Sequence, residues 1–138
     1  MSDLVRLSFS LEQGLLRRLE KMVKERRYGN RSEFIRDLIR SRLVEEEWER
    51  NEEALGTVTL IYNHQFQRLA NDITGLQHRH HGAVLATTHI HLDERICAEM
   101  IMIKGRAAEI RKIADNLSQQ KGILHSALSM SSTGKKLA

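Results

Sequence analysis

The chain has a single cysteine, few aromatic residues and no proline. One cysteine among 138 residues excludes an intrachain disulfide and fits a reducing cytosol. Aromatic residues make up 4% of the chain, which argues against a base-stacking platform for single-stranded nucleic acid. No apolar run approaches the roughly 20 residues of a membrane helix, and no basic start leads into an apolar stretch. The sequence therefore predicts a cytoplasmic protein that does not enter a membrane.

The charge is concentrated at one end of the chain. Residues 1–44 contain eleven lysines and arginines against six acids, whereas residues 45–53 are mostly glutamate. A basic N-terminal module suits a polyanionic partner. The alternative is that these charges simply line solvated helix faces.

The first 44 residues follow the order strand, helix, turn, helix. Residues 4–11 alternate between apolar and polar side chains, which predicts a half-buried strand. Ser10 begins a capping-box pattern before an amphipathic helix, and Gly29 offers a left-handed C-cap. Asn30 begins a second cap and a second amphipathic helix. One short strand and two helices cannot bury enough surface alone, so we expect an obligate dimer with paired strands.

This pattern resembles a ribbon-helix-helix DNA-binding domain of the Arc/MetJ type, through residues 6–10 and 30–36. A two-stranded ribbon fits the major groove of double-stranded DNA, where arginine and hydroxyl side chains read base edges. Free amide groups at the start of the second helix can hold a backbone phosphate. The predicted DNA-binding residues are Arg6, Ser8, Ser10, Asn30, Arg31 and Ser32. An ordinary exposed strand face is the alternative.

The rest of the chain predicts a second module with the order βαββαβ. Strands are expected at 55–62, 83–92, 96–104 and 123–130, with helices at 64–81 and from Gly105 to near Gly122. This is the ferredoxin-like order. The expected fold class is α+β, with a ribbon-helix-helix domain at 1–50, a ferredoxin-like domain at 51–131 and a flexible tail at 132–138.

Histidines cluster where the second module changes from helix to strand. Five of the seven lie between residues 78 and 91. His89 and His91 are two residues apart in a predicted strand, so their side chains share a face about 7 Å apart. Cys97 adds a thiolate donor on the next strand. Imidazole and thiolate ligands suit nickel, copper or zinc, and the spacing does not choose between planar and tetrahedral geometry. A polar sheet face with a buried free thiol is the alternative.

Taken together, the N-terminal module, the linker and the motif from Gln77 to Glu99 resemble NikR, the nickel-responsive transcriptional regulator family. The resemblance implies an ACT-like second module, a homotetramer built as a dimer of dimers, and a palindromic operator. It implies Ni(II) in a square plane formed by His89, His91 and Cys97 of one chain and His78 of its neighbour. Glu99 takes the place of a carboxylate that supports the ligands. Nickel occupancy would then control operator binding, usually to repress a nickel importer.

Several features of the resemblance leave questions open. The segment 63–68 has Arg68 as its only permanent cation where some family members carry more basic residues, although His64 could bind excess metal. Family members can also hold potassium through acids that match Glu33 and Asp37. His80 and His81 are accessory ligands or plain surface residues.

Two other functions compete with the regulator hypothesis. A small metalloenzyme would use Cys97 or a metal-activated water, with Glu99 as base, but no further catalytic set accompanies them. An antitoxin-like repressor would instead bind a protein through its second module.

Overall fold

The computed structural model describes residues 3–138, with the backbone alone at Gln67. Within that range the chain forms four helices and four strands. In chain order these are α1 (Gln13–Glu25), α2 (Arg31–Glu49), β1 (Glu53–Asn63), α3 (Gln67–Arg79), β2 (Val84–His91), β3 (Ile96–Arg106), α4 (Ala107–Ser118) and β4 (Ile123–Ser131). Two compact units result: residues 3–43 with Gly134–Ala138, and Val44–Thr133.

In the first unit, the turn after α1 uses a left-handed residue other than the predicted glycine. Arg27 has a φ of 56°, while Gly29 stays outside the left-handed region. The amides of Arg27 and Tyr28 donate to the carbonyls of Lys24 and Val23 at 3.1 and 3.0 Å, which is the Schellman arrangement. The prediction of a Gly29 cap is wrong because α1 ends at Glu25, which places the left-handed residue at Arg27, two positions before Gly29.

The two predicted helix starts have different outcomes. The side-chain oxygen of Asn30 accepts a hydrogen bond from the Glu33 amide at 2.9 Å, so the cap of α2 is confirmed. The capping box at Ser10 is wrong, because the N-cap of α1 is Glu12 and its side chain makes no capping bond. Ser10 lies too far before the first helical residue to reach its free amides.

Residues 3–12 form neither helix nor strand in the single chain. Leu4, Val5 and Leu7 are 84–87% exposed, as expected for a strand that has no neighbour to pair with. A cavity of about 350 Å³ opens beside this segment. It is lined by Leu7, Ser8, Phe9, Leu11, Leu16, Leu19, Arg31, Ser32 and Ile35. The apolar surface that needs covering therefore lies where the paired ribbon is predicted.

The second unit is a four-stranded antiparallel sheet in the order β2-β3-β1-β4. Every second residue of β1 is buried. Successive side chains of a strand point to opposite faces, so one face of β1 packs into the core. The core also takes residues from α3, β3 and α4. It is formed by Trp48, Ala54, Val58, Leu60, Tyr62, Leu69, Ile73, Leu76, Ala83, Cys97, Ile101, Ile103, Ala107, Ile110, Ile113, Ala114 and Leu117. The predicted βαββαβ order is confirmed.

The start of α4 differs from the sequence expectation. Gly105 lies within β3, opposite Ala54 of β1, so the predicted helix start at Gly105 is wrong. The strand continues because pairing with β1 supplies hydrogen bonds that a local pattern cannot reveal. The first amides of α4 are satisfied instead by the linker: Ala107 donates to the Glu52 carbonyl at 3.1 Å, and Ala108 to the Asn51 side-chain oxygen at 2.8 Å.

The C-terminal residues Gly134–Ala138 belong to the first unit. Arg40 Nε donates a hydrogen bond to the carbonyl of Leu137 at 3.0 Å. The boundary at residue 50 and the flexibility of residues 132–138 remain predictions. No helix among the described residues is long and apolar enough to cross a bilayer.

Gly56 of β1 is a tightly constrained position in the core. A Cβ built there would lie 2.6 Å from Ile110 Cγ2 and 3.3 Å from Trp48 Cη2. We expect Gly56→Ala to lower the free energy of unfolding by about 1–3 kcal/mol through overpacking. The measurement is urea unfolding followed by circular dichroism at fixed protein concentration. Gly82→Ala is the control, since a Cβ at Gly82 meets nothing within 4 Å; equal effects of the two substitutions would contradict the packing argument.

Candidate metal centre

The pairing of β2 with β3 brings the predicted strand ligands together. His91 lies opposite Cys97, and His89 lies opposite Glu99. On the other side of β3, Tyr62 of β1 also lies opposite Cys97. Because paired residues on neighbouring strands share a face, this register groups all five side chains on the core side of the sheet.

Cys97 is a fully buried thiol with a histidine beside it. Its Sγ lies 3.4 Å from Nδ1 of His91, whose side chain is exposed. Burial, and secondarily the charge of Glu99, raises the pKa of the Cys97 thiol. A metal ligand must be the thiolate, so metal capture at Cys97 would release a proton.

The orientation of His89 is set by Tyr62. The Tyr62 hydroxyl lies 3.2 Å from His89 Nδ1 and donates to Glu99 Oε2 at 2.9 Å. Since a phenol has one proton to donate, its oxygen is left to accept from Nδ1–H. That assignment leaves the lone pair of His89 on Nε2, which is the nitrogen available to a metal.

Glu99 is a nearly buried carboxylate that accepts hydrogen bonds from three elements. Tyr62 of β1 donates to one oxygen, while Gln77 of α3 and Thr87 of β2 donate to the other at 3.1 and 3.2 Å. Burial, together with the hydrogen bond and charge of Glu99, raises the pKa of Tyr62 well above its usual range. Glu99 therefore joins the strand ligands to the end of α3, where Gln77 precedes His78.

The predicted four-ligand set does not converge within one chain. His78 is an exposed residue in the last turn of α3. Among the described residues, the three metal donors that do converge are His64, His91 and Cys97, whose ligand atoms all lie within 4.8 Å of one another.

Sequence reasoning missed Tyr62 and assigned His64 no place at this centre. Every second residue of β1 is buried, and Tyr62 continues this alternation. His64 lies two positions after Tyr62. Extending the alternation beyond Leu60 would therefore have predicted that both side chains lie on the same side of the sheet as the core. His80 and His81 follow Arg79, the last residue of α3, and Nδ1 of His81 lies 3.3 Å from the His78 carbonyl oxygen. Their role stays open.

The predicted DNA-binding residues occupy two places in the first unit. Arg6, Ser8 and Ser10 are exposed in the extended N-terminal segment. At the start of α2, Arg31 forms an ion pair with Glu20 of α1. The other predicted contacts there are Asn30 and Ser32, and the side-chain oxygen of Asn30 is engaged in capping.

The two candidate potassium ligands lie near the start of α2. Asp37 already has two partners, since Oδ2 accepts from the Tyr28 hydroxyl at 2.6 Å and Oδ1 lies 3.6 Å from Arg40 Nη1. The Glu33 amide is engaged by Asn30. A cation here would have to share the Asp37 carboxylate.

Comparison with known families assigns each unit. Residues 55–131 match the NikR C terminal nickel binding domain, and residues 5–46 match the ribbon-helix-helix protein, copG family. These matches cover both predicted modules in the predicted order. The match to 5–46 also identifies the N-terminal segment as the ribbon of its domain, although a single chain leaves it unpaired.

Full-length relatives agree with the family matches. Proteins named as nickel-responsive regulators in Geobacter metallireducens and Geobacter sulfurreducens are 43% and 44% identical over 138 residues, covering 99% of this chain and 99% of each relative. One from Pyrococcus abyssi is 44% identical over 136 residues, covering 98% of this chain and 99% of the relative.

A solved structure supplies a weaker comparison. An uncharacterized protein from Thermotoga maritima matches 57% of this chain and 98% of its own length with a TM-score of 0.52, and at 14% identity it shows a likeness of fold alone. The two family matches and the full-length identities go further: the chain belongs to the nickel-responsive regulator (NikR) family.

Proposed function

We propose that this protein is a nickel-responsive transcriptional regulator in the cytoplasm that represses nickel-uptake genes. The observation that carries the proposal is the β2–β3 register, which sets His91 opposite Cys97 and His89 opposite the supporting Glu99. The family is one of DNA-binding regulators, so the metalloenzyme alternative is dropped. The antitoxin-like alternative lacks support because the second unit matches a nickel-binding domain.

The proposed nickel site takes His89, His91 and Cys97 from one chain and His78 from a second copy. The exposure of His78 supports this arrangement, because its ring is accessible to another chain. Two imidazoles and a thiolate with a third imidazole form an N/N/N/S set, and a planar set of that kind suits Ni(II). The hydrogen bond that the Gln77 side chain donates to Glu99 connects the proposed nickel site to α3.

The second unit also carries apolar surface for association. Ile90, Met100 and Met102 are 44%, 41% and 39% exposed, and they lie on the side of the sheet away from the core residues. An apolar sheet face of this kind needs covering, and a second copy is the occupant that the cross-chain site requires. Together with the unpaired N-terminal ribbon, these surfaces support a homotetramer formed as a dimer of dimers.

DNA binding is assigned to the paired ribbon. Arg6, Ser8 and Ser10 of each chain would face the major groove of a palindromic operator, while Asn30, Arg31 and Ser32 would lie against the phosphates. Arg31 would exchange its ion pair with Glu20 for a phosphate contact. Potassium at Glu33 and Asp37 is a further part of the proposal, supported by the two carboxylates near the start of α2.

The role of the metal site is tested with Cys97→Ala. Wild-type protein should bind about one Ni(II) per chain with thiolate absorption bands and should bind operator DNA more tightly when nickel is present. Cys97→Ala should lose both responses while keeping its fold by circular dichroism, because only one ligand is removed from a packed sheet. The checks are a Ni(II) titration and mobility shifts over a range of salt. If the operator affinity of the wild-type protein were the same with and without nickel, the regulator proposal would be refuted.

The ribbon assignment is tested with Arg6→Ala. We expect a loss of about 1–3 kcal/mol in operator binding and a relaxed preference at one base position, because a bidentate contact to guanine is removed. The measurement is binding to a panel of operators with single base changes, at fixed salt. Lys121→Ala, at an exposed position after α4, serves as the control. Equal weakening on every sequence would make Arg6 a phosphate contact instead.

A further inference from the structure

The C-terminal residues of the chain return from the second unit to the first. We propose that this segment, the C-terminal strap (Gly134–Ala138), is docked on α2 by Arg40 and forms a second connection through which the nickel-binding unit acts on the DNA-binding unit. The docking half of this inference stands on the contacts within the first unit. The regulatory half rests on the proposed function.

The chain passes from one unit to the other at two places. The first lies within α2 (Arg31–Glu49), between Leu43 and Val44, and the second follows β4, between Thr133 and Gly134. Without the strap, the chain would connect the two units through α2 alone. With it, the second unit is a loop of chain whose two ends both continue into the DNA-binding unit.

Arg40 makes the contact that docks the strap. Its Nε donates a hydrogen bond to the carbonyl oxygen of Leu137 at 3.0 Å, across 97 positions of the sequence. The guanidinium group also has a partner within the first unit, because its Nη1 lies 3.6 Å from Oδ1 of Asp37. The other oxygen of Asp37 accepts from the Tyr28 hydroxyl at 2.6 Å. Since a hydrogen bond from a charged donor is stronger than a neutral one, Arg40 is well placed to hold the strap.

The conformation of the strap also favours docking. The Leu137 amide donates to the Gly134 carbonyl oxygen at 3.2 Å, which closes a four-residue turn. Gly134 has a φ of 80°, a left-handed conformation that glycine adopts more readily than other residues. Leu137 is half-buried. These features support a folded segment in place of the flexible tail that the sequence predicts.

The end of β4 provides the second anchor of this connection. Trp48 Nε1 donates to the carbonyl oxygen of Ser131, the last residue of β4, at 2.8 Å, and both residues belong to the second unit. The chain from Ser131 to Leu137 can span at most about 20 Å when fully extended. A movement that takes these two anchors further apart must therefore break the hydrogen bond to Arg40.

The strap gives the proposed regulator a second route for coupling. β4 pairs with β1, whose Tyr62 donates to Glu99 beside the candidate metal ligands. A change in the strands at the metal centre can thus reach Arg40 through β4 and the strap as well as through α2. Loss of one of the two routes should weaken the effect of nickel on operator binding while leaving nickel binding intact.

The docking is tested with Arg40→Ala and Gly134→Ala in the 138-residue chain. Arg40→Ala removes the donor, whereas Gly134→Ala disfavours the left-handed turn without a clash, since a Cβ there meets nothing within 4 Å. The measurement is the rate at which a carboxypeptidase removes Ala138 and Leu137, followed by mass spectrometry. We expect each substitution to raise this rate about twofold to tenfold, because cleavage depends on the undocked population.

Arg36→Ala is the matched control for Arg40→Ala. Arg36 lies one turn earlier on α2, and its Nε donates to the Ser32 carbonyl oxygen of the same helix at 3.4 Å. Its removal should therefore leave the cleavage rate at the wild-type value. If Arg40→Ala were cleaved no faster than the wild type or Arg36→Ala, the docked strap would be overturned.

The regulatory half is tested by measuring operator affinity with and without Ni(II). We expect Arg40→Ala and Gly134→Ala to lower the ratio of the two affinities about twofold or more. Arg36→Ala should keep the wild-type ratio, and all three variants should keep the nickel stoichiometry and absorption bands. A wild-type ratio in Arg40→Ala would overturn the second route. If nickel has no effect on the wild type, the proposed function fails, and the cleavage rates alone decide whether the strap is docked.

Discussion

The candidate metal centre depends on the antiparallel register between β2 and β3. A shift of one residue would turn His89 and His91 to the open side of the sheet and leave the Cys97 thiol buried alone, because the side-chain period of a strand is two. The observed register sets His91 opposite Cys97 and His89 opposite Glu99. On the opposite edge of β3, its pairing with β1 brings Tyr62 into the same group. The two pairings of β3, with β2 and with β1, thus bring together the candidate strand ligands, Glu99 and Tyr62.

Glu99 extends that alignment to the helix that carries His78. Its carboxylate is nearly buried, and it is stabilised by donors from β1, β2 and α3. Removing any one of these donors would leave the Glu99 carboxylate with fewer hydrogen bonds. The position of Gln77 and the orientation of Tyr62 are therefore coupled, because both side chains donate to Glu99. A change at the candidate strand ligands therefore has a physical route to the end of α3, through Gln77, one residue before His78.

Local patterns predicted the elements well and their tertiary details poorly. The strands β1 and β2 were predicted correctly because the alternation of apolar residues in β1 and the spacing of His89 and His91 in β2 can be read from the sequence alone. The start of α4 was wrong, since Gly105 is held in β3 by pairing with Ala54. The cap of α1 was also misplaced, with Arg27 in the left-handed conformation instead of Gly29. The grouping of His64 with Cys97 depends on the turn after β1, which sequence spacing does not reveal.

The central claim is that two copies share each nickel site, and mixing variants tests it most directly. Cys97→Ala supplies an intact His78, and His78→Ala supplies intact His89, His91 and Cys97. Neither variant alone should show the planar Ni(II) bands. After unfolding and refolding together, random pairing across a two-fold interface should restore roughly a quarter of the wild-type sites. Full nickel binding by His78→Ala alone, or no recovery in the refolded mixture, would contradict the shared site.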